Sequence, residues 1–180
     1  GVRDNGVVYA PQASAPTLAR RLRDAGYRTG AFVGAYVLDR RFGLADGFDT
    51  YDDRVRREPG EGARLEAERP GGEVVDAAVA WLNQTTSHFF LWVHLYDPHA
   101  PYEPPAGYPE KAGGNAYDGE VAYADAQVAR LVESLRARGV LASTAVVVTG
   151  DHGEGLGEHG EHAHGMLAYD STLRVPLVFS

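Results

Sequence analysis

The seven histidines of this 180-residue chain form two groups, and none of them precedes residue 88. One group flanks or occupies the apolar run 89–93, and the other follows the apolar run 144–149. Imidazole binds divalent metals and transfers protons near neutral pH, so each group indicates a candidate site. The histidines are His88, His94, His99, His152, His159, His162 and His164.

Asp151 and His152 are the first candidates for metal ligands. They come directly after the apolar run 144–149, with a glycine on either side of the pair. A strand end fixes the direction of both side chains, and glycines allow a tight loop around an ion. A carboxylate beside a neutral imidazole suits zinc or manganese better than magnesium. The alternative is that Asp151 caps a turn and His152 packs.

His99 and His164 are candidates for hydrogen bonding and proton transfer. His99 lies between Pro98 and Pro101. These prolines stiffen the loop and reduce the entropy lost when a side chain is aimed at a ligand. His164 lies where the chain returns to apolar sequence, and there it could donate to an anionic oxygen or act as a general acid. The alternative for His164 is a packed histidine.

The remaining histidines support weaker interpretations. His159 and His162 each lie beside a glutamate in a glycine-rich loop, which favours solvated side chains. His94 lies within a predicted strand, where a buried histidine and a site residue are equally compatible with the pattern. The sequence assigns no role to His88.

Apolar periodicity predicts helices and strands that alternate along the chain. We expect strand 89–93 to be covered on both faces, strand 144–149 to be buried, and residues 39–72 to form a turn-rich surface excursion. The predicted helices are one capped by Ser14 and ended by Gly26, one over 73–84, and one from Val121 to Leu135 ended by Gly139; the predicted strands are 27–34, 89–93, 144–149 and a run starting at Pro176.

This alternation predicts an α/β fold in which helices cover a largely parallel sheet. Open α/β sheets bind their ligands at the carboxyl ends of the strands. Both histidine-bearing loops leave such ends, so we expect His99 and His152 to meet at one rim of the sheet.

Composition excludes several classes of protein. Hydrophobic residues make up 44% and charged residues 23% of the chain, as in globular domains. A net charge of −8 argues against wrapping nucleic acid. Without cysteine, these residues contain neither a disulfide nor a cysteine nucleophile. The first residue is glycine rather than methionine, and we expect a segment of a larger protein.

Three longer motifs and five shorter ones follow one another in a specific order. The longer motifs are residues 89–102 (FFLWVHLYDPHAPY), 150–154 (GDHGE) and 174–177 (RVPL). The shorter ones are 1–6, 17–19, 26–29, 47–49 and 117–120. Together they resemble the sulfatase family of the alkaline-phosphatase superfamily.

The resemblance implies a mixed, largely parallel sheet between helices, with residues 1–180 forming part of the catalytic domain. It implies a divalent metal (calcium, manganese or zinc) with Asp151 and His152 among its ligands. His99 would contact the transferred sulfuryl or phosphoryl group or its leaving oxygen. His164 falls where arylsulfatases carry lysine and related phosphoryl transferases carry histidine.

Two departures from the family pattern concern catalysis and specificity. The family's nucleophile motif, Cys-x-Pro-x-Arg or Ser-x-Pro-x-Arg, or a threonine in phosphatase-like branches, is expected upstream of the region matching Gly1, and the Cys/Ser motif is absent from these residues. The arylsulfatase Gly-Lys-Trp-His motif corresponds here to residues 34–37 (GAYV), which lack both cations. We therefore expect the isolated chain to be inactive and sulfate specificity to be open.

The expected function is metal-dependent hydrolysis of sulfate esters by a larger enzyme. The alternatives are a phosphodiester or phosphonate hydrolase, a phosphoethanolamine-type transferase, and a non-catalytic metal-binding module. The expected partner is a small-molecule or glycan sulfate or phosphate ester, with no nucleic acid and no membrane association in this segment. The resemblance implies a periplasmic or extracellular location.

Overall fold

The computed structural model describes residues 16–55, 67–160, 164 and 168–180. The chain forms two compact units, with the boundary between Ser134 and Leu135. The helices and strands in chain order are α1 (Leu18–Asp24), β1 (Arg28–Val33), β2 (Thr50–Asp52), α2 (Gly71–Asn83), β3 (Phe89–His94), α3 (Tyr108–Lys111), α4 (Ala116–Ala137), β4 (Val147–Thr149), α5 (Asp170–Leu173) and β5 (Leu177–Phe179).

The first unit contains a parallel sheet with strand order β2-β1-β3. Helix α2 packs on β1 and β3. The Trp81 ring lies so close to Gly30 of β1 that a β-carbon there would be 2.9 Å from it, which explains glycine in the middle of the strand. Trp81 also donates from Nε1 to Thr50 Oγ1 at 3.1 Å, joining α2 to β2. The α/β class with parallel pairing is confirmed.

The second unit contains a two-stranded antiparallel sheet of β4 and β5. Val147 of β4 pairs with Phe179 of β5. The predicted strand at 144–149 is therefore present but shorter, and the expectation that it is buried is wrong, because Val147 is 63% exposed. Among the described residues β4 pairs with β5 alone, so its apolar side chains lack the covering layers that the sequence pattern predicted.

Three further expectations need correction. Strand β3 is half-buried along its length rather than covered on both faces; it is also the edge strand of the described three-stranded sheet. Helix α1 is capped by Thr17, whose Oγ1 accepts from the Arg20 amide at 3.1 Å; Ser14, the predicted cap, lies outside the described residues. The region 39–72 includes β2, whose parallel pairing with β1 extends the sheet, so it is not only a surface excursion.

Helix α4 and its stop at Gly139, which has a φ of +71°, match the prediction. Its most buried side chains within the first unit differ from the predicted apolar stripe. Glu120 and Gln127 are buried, whereas Val121, the first residue of that stripe, is exposed. Within the first unit, the most buried side chains of this helix are therefore a carboxyl and an amide that lie beside the predicted stripe, not in it.

Candidate functional site

The loop after β4 places Asp151 and His152 side by side. His152 Nδ1 lies 2.8 Å from the Gly153 carbonyl oxygen, which can only accept, so Nδ1 carries the proton and donates. In the neutral ring Nε2 then bears the lone pair, and it lies 3.8 Å from Asp151 Oδ1. Two bonds of about 2.1 Å to one ion span at most about 4.2 Å, so this separation is compatible with a shared cation. The Asp151 side chain is 82% exposed and accessible to an ion.

His164 is held by a buried carboxylate. Its Nδ1 lies 3.0 Å from Oε1 of Glu154, whose side chain is only 5% exposed. A carboxylate accepts, so Nδ1 donates to it and Nε2 bears the lone pair of the neutral ring. The His164 ring also lies against the His152 ring, with centroids 4.0 Å apart. The structure therefore brings His152 and His164 together.

Short helix α5 supports this loop from one side. The Gly153 amide donates to the Thr172 carbonyl oxygen at 2.8 Å. A β-carbon at Gly153 would overlap the Ser171 carbonyl oxygen, so only glycine permits this approach. The loop that holds Asp151 and His152 is thus fixed against α5 through its glycine backbone.

His99 follows β3 in the first unit. Its ring stacks on Tyr96 at a centroid distance of 4.2 Å. Its Nδ1 lies 2.7 Å from the Ala100 carbonyl oxygen and donates to it, so the neutral ring again bears the lone pair on Nε2. The local contacts therefore set both the plane and the tautomer of His99.

The four predicted site residues fall in both units: His99 in the first, and Asp151, His152 and His164 in the second. The expected meeting of His99 with His152 stays a prediction. Over the described ranges, no three histidine, aspartate or glutamate side chains lie close enough together to hold a metal ion. The Asp151–His152 pair would supply two ligands of a larger set.

The other histidines differ in their surroundings. His159 is exposed, as its predicted solvated side chain requires, and its ring stacks on Tyr169 with centroids 4.0 Å apart. His94 is half-buried in β3 between the rings of Trp92 and Tyr96, and His162 lies outside the described residues. The residue that the sequence interpretation missed is Glu154; its only signal was its place beside the Asp151–His152 pair.

Sequence comparisons identify relatives with two kinds of chemistry. A model of the sulfatase family matches residues 4–180. Human iduronate 2-sulfatase is 40% identical over 80 residues, which are 44% of this chain and 14% of that protein. The phosphoethanolamine transferase EptA of Salmonella typhimurium is 36% identical over 67 residues, which are 36% of this chain and 12% of that protein.

The fold is similar to that of a solved hydrolase. The crystal structure of phosphonate monoester hydrolase from Agrobacterium radiobacter superposes with a TM-score of 0.71 at 17% identity, over 94% of this chain and 53% of that one. The 180 residues thus span about half of the solved chain and a smaller part of the curated relatives. Among the described helices, none combines the length and apolar character needed to cross a membrane.

Proposed function

The chain belongs to the sulfatase family, and we propose that it forms part of the catalytic domain of a metal-dependent enzyme that hydrolyses sulfate esters. The observation that carries this proposal is the geometry of Asp151, His152, Glu154 and His164 within a chain that the family model matches almost throughout. There a candidate ligand pair lies beside a carboxylate-held histidine, an arrangement compatible with metal-assisted ester cleavage.

Asp151 and His152 would hold a divalent cation, which we propose to be calcium, manganese or zinc. The donor set fits, because the Gly153 carbonyl fixes the His152 tautomer that leaves Nε2 able to bind. When bound, the cation would supply Lewis-acid stabilisation of charge on the ester oxygens. Its remaining ligands would come from residues beyond this pair.

His164 and His99 would act on the ester itself. His164 Nε2, when protonated, would give its proton to the leaving oxygen as the bond to sulfur breaks, and the Glu154 carboxylate would accept from Nδ1 and hold the ring with Nε2 as the nitrogen that transfers the proton. His99 Nε2, when protonated, would donate a hydrogen bond to the transferred group, with its ring oriented by Tyr96. The nucleophile implied by the family, formylglycine or threonine, would lie outside these 180 residues, so the isolated chain would be inactive.

Phosphoryl chemistry is the second candidate, and specific observations favour it. Residues that would correspond to the sulfate-holding lysine and histidine of arylsulfatases are Ala35, which is buried, and Val37, which is exposed; neither carries a cation. His164 stands where arylsulfatases carry lysine, and 67 residues are similar to a phosphoethanolamine transferase. The corresponding proposal is a phosphodiester or phosphonate hydrolase or a phosphoethanolamine-type transferase.

A metal-binding module without catalysis is the third alternative. It predicts metal uptake and thermal stabilisation of the full-length protein without turnover of any ester. Under the enzyme proposals the substrate is a small-molecule or glycan sulfate or phosphate ester. We propose a periplasmic or extracellular location on the basis of family membership.

Replacing His99 or His164 by alanine in the full-length protein tests the proposed roles. Loss of one hydrogen-bond donor in a catalytic site costs about 10²–10³ in rate, so each variant should lose turnover of an aryl ester by that order. His88→Ala, at the entrance of β3, is the matched control and should turn over normally. Near-normal turnover by the His164 variant would refute the proton-donor role.

A further inference from the structure

The start of α4 contacts three consecutive residues, 102–104, of the loop that carries His99. The Tyr117 ring packs edge-on against Tyr102 with centroids 5.3 Å apart. A β-carbon at Gly119 would lie 3.0 Å from Pro104 Cγ, so the helix backbone touches the loop. The Glu103 amide, between Tyr102 and Pro104, donates to Glu120 Oε1 at 2.8 Å. Residues 117–120 therefore hold residues 102–104 against the start of α4.

The other end of this loop is also fixed by a carboxylate. Asp97 Oδ1 accepts from the Gly71 amide at 3.0 Å, at the first residue of α2. A β-carbon at Gly71 would overlap the Asp97 carboxylate, so α2 and the loop are in close contact. His99 thus lies on a proline-rich segment held by α2 on one side and by α4 on the other.

A glutamate at position 120 is energetically unfavourable if its only role is to fill space between packed elements. Its side chain is buried, at 5% exposure, and Oε2 has no hydrogen-bond partner within the described part of the chain. Burial, together with the charges of Glu68, Asp97 and Glu103, raises its pKa to about 7. A buried carboxyl of this kind costs stability, and an apolar side chain would fill the space at less cost.

We propose that Glu120 is a positioning residue for His99, which fixes the distal end of the His99 loop through the Glu103 amide. This inference rests on the proposed function, in which His99 contacts the transferred group. An error of about 1 Å in a catalytic side chain costs about 10²-fold in rate, so loosening the loop acts on turnover rather than on folding alone.

The test compares variants of the full-length protein for turnover of an aryl ester, with thermal unfolding recorded for each. Glu120→Ala removes the acceptor and should lower kcat by at least about 10-fold with KM little changed. Glu120→Gln keeps an oxygen for the Glu103 amide and should restore kcat to within about 3-fold. Asp125→Ala, an exposed carboxylate on the same helix, is the control and should match the parent. If Glu120→Ala does not fold, Glu120→Asp replaces it, because the shorter side chain moves the acceptor oxygen away from the Glu103 amide.

A double-mutant cycle with His99→Ala shows whether Glu120 acts through His99. The proposal predicts that Glu120→Ala has no further effect on kcat once His99 is absent. An equal loss of kcat from Glu120→Ala in the parent and in the His99→Ala protein would overturn the proposal. A Glu120→Gln variant with a kcat as low as that of Glu120→Ala would also overturn it. If His99→Ala alone retains full turnover, the proposed role of His99 fails instead, which separates the two outcomes.

Discussion

His164 Nδ1 lies 3.0 Å from Oε1 of the buried Glu154, and the histidine ring packs against His152. This arrangement places an imidazole against a buried carboxylate beside the candidate metal ligands. The carboxylate accepts from Nδ1 and so fixes the orientation of the ring. Under the proposed function, the pair would add a group for proton transfer to the candidate metal ligands of the loop after β4.

Glu154→Gln removes the carboxylate that orients His164, and we expect kcat to fall by about 10–100-fold. The loss should be larger for an ester with a poor leaving group, since such a group needs the proton most. Turnover of two aryl esters that differ in leaving-group pKa measures this. Glu158→Gln, on an exposed carboxylate of the same loop, should change little. An equal loss for both esters would contradict proton donation by His164.

Metal binding should depend on Asp151 and His152. We expect Asp151→Asn and His152→Ala each to weaken zinc or manganese binding by more than about 100-fold, because loss of even an outer partner of a ligand costs about 10–100-fold. Metal content of the purified full-length protein and calorimetric titration of the metal-free form measure the change. His159→Ala, in the same loop, is the control. Unchanged affinity in both ligand variants would refute the assignment.

Gly153→Ala should displace the candidate metal loop. The new β-carbon would overlap the Ser171 carbonyl oxygen, and relief requires movement of either the loop or α5. We expect weaker metal binding and a lower unfolding temperature. Gly150→Ala is the matched control, because its β-carbon would lie 3.3 Å from its nearest neighbour, the His152 carbonyl oxygen, without the overlap that Gly153→Ala creates. A full-affinity Gly153 variant would show that the close approach to α5 is not needed.

Stability should depend on pH through Glu120. Its pKa rises from the usual 4.5 to about 7 on folding, so the folded state binds the proton more tightly. The resulting penalty is absent below pH 4.5, grows as pH rises to about 7, and stays constant above that. Glu120→Gln should therefore gain free energy of unfolding relative to the parent across this interval, by on the order of 1 kcal/mol.

Urea unfolding at several pH values measures this difference. Asp125→Asn, on the exposed side of the same helix, should give a difference from the parent that is flat from pH 5 to 8. A flat difference for the Glu120 variant as well would show that its pKa is ordinary in the folded protein.

The order of helices and strands was predictable from sequence because apolar periodicity reports which face an element buries. The α2 helix and the strands β1 and β3 followed from that pattern, whereas the pairing of β1 with β3 is known from the structure. Strand β2 could not be predicted from that pattern, because its three residues show no apolar periodicity and are held in place by pairing with β1. The burial of Glu120 also could not be predicted, since a carboxyl on a helix is normally solvated.

The candidate site was predictable to a similar degree. Residue type and position at a strand end identified Asp151 and His152, and the structure places them side by side. The contact between His164 and Glu154 joins residues ten positions apart in the sequence. No periodicity relates such residues, so only coordinates reveal the pairing.

Turnover of an aryl sulfate and an aryl phosphodiester, side by side, by the full-length protein with added manganese tests the central proposal most directly. We expect faster turnover of the sulfate, lost on adding a chelator and in the His152→Ala variant. Faster turnover of the phosphodiester would contradict sulfate hydrolysis and favour phosphoryl chemistry. Absence of turnover of both esters by metal-loaded protein would contradict the enzyme proposals and leave a metal-binding module.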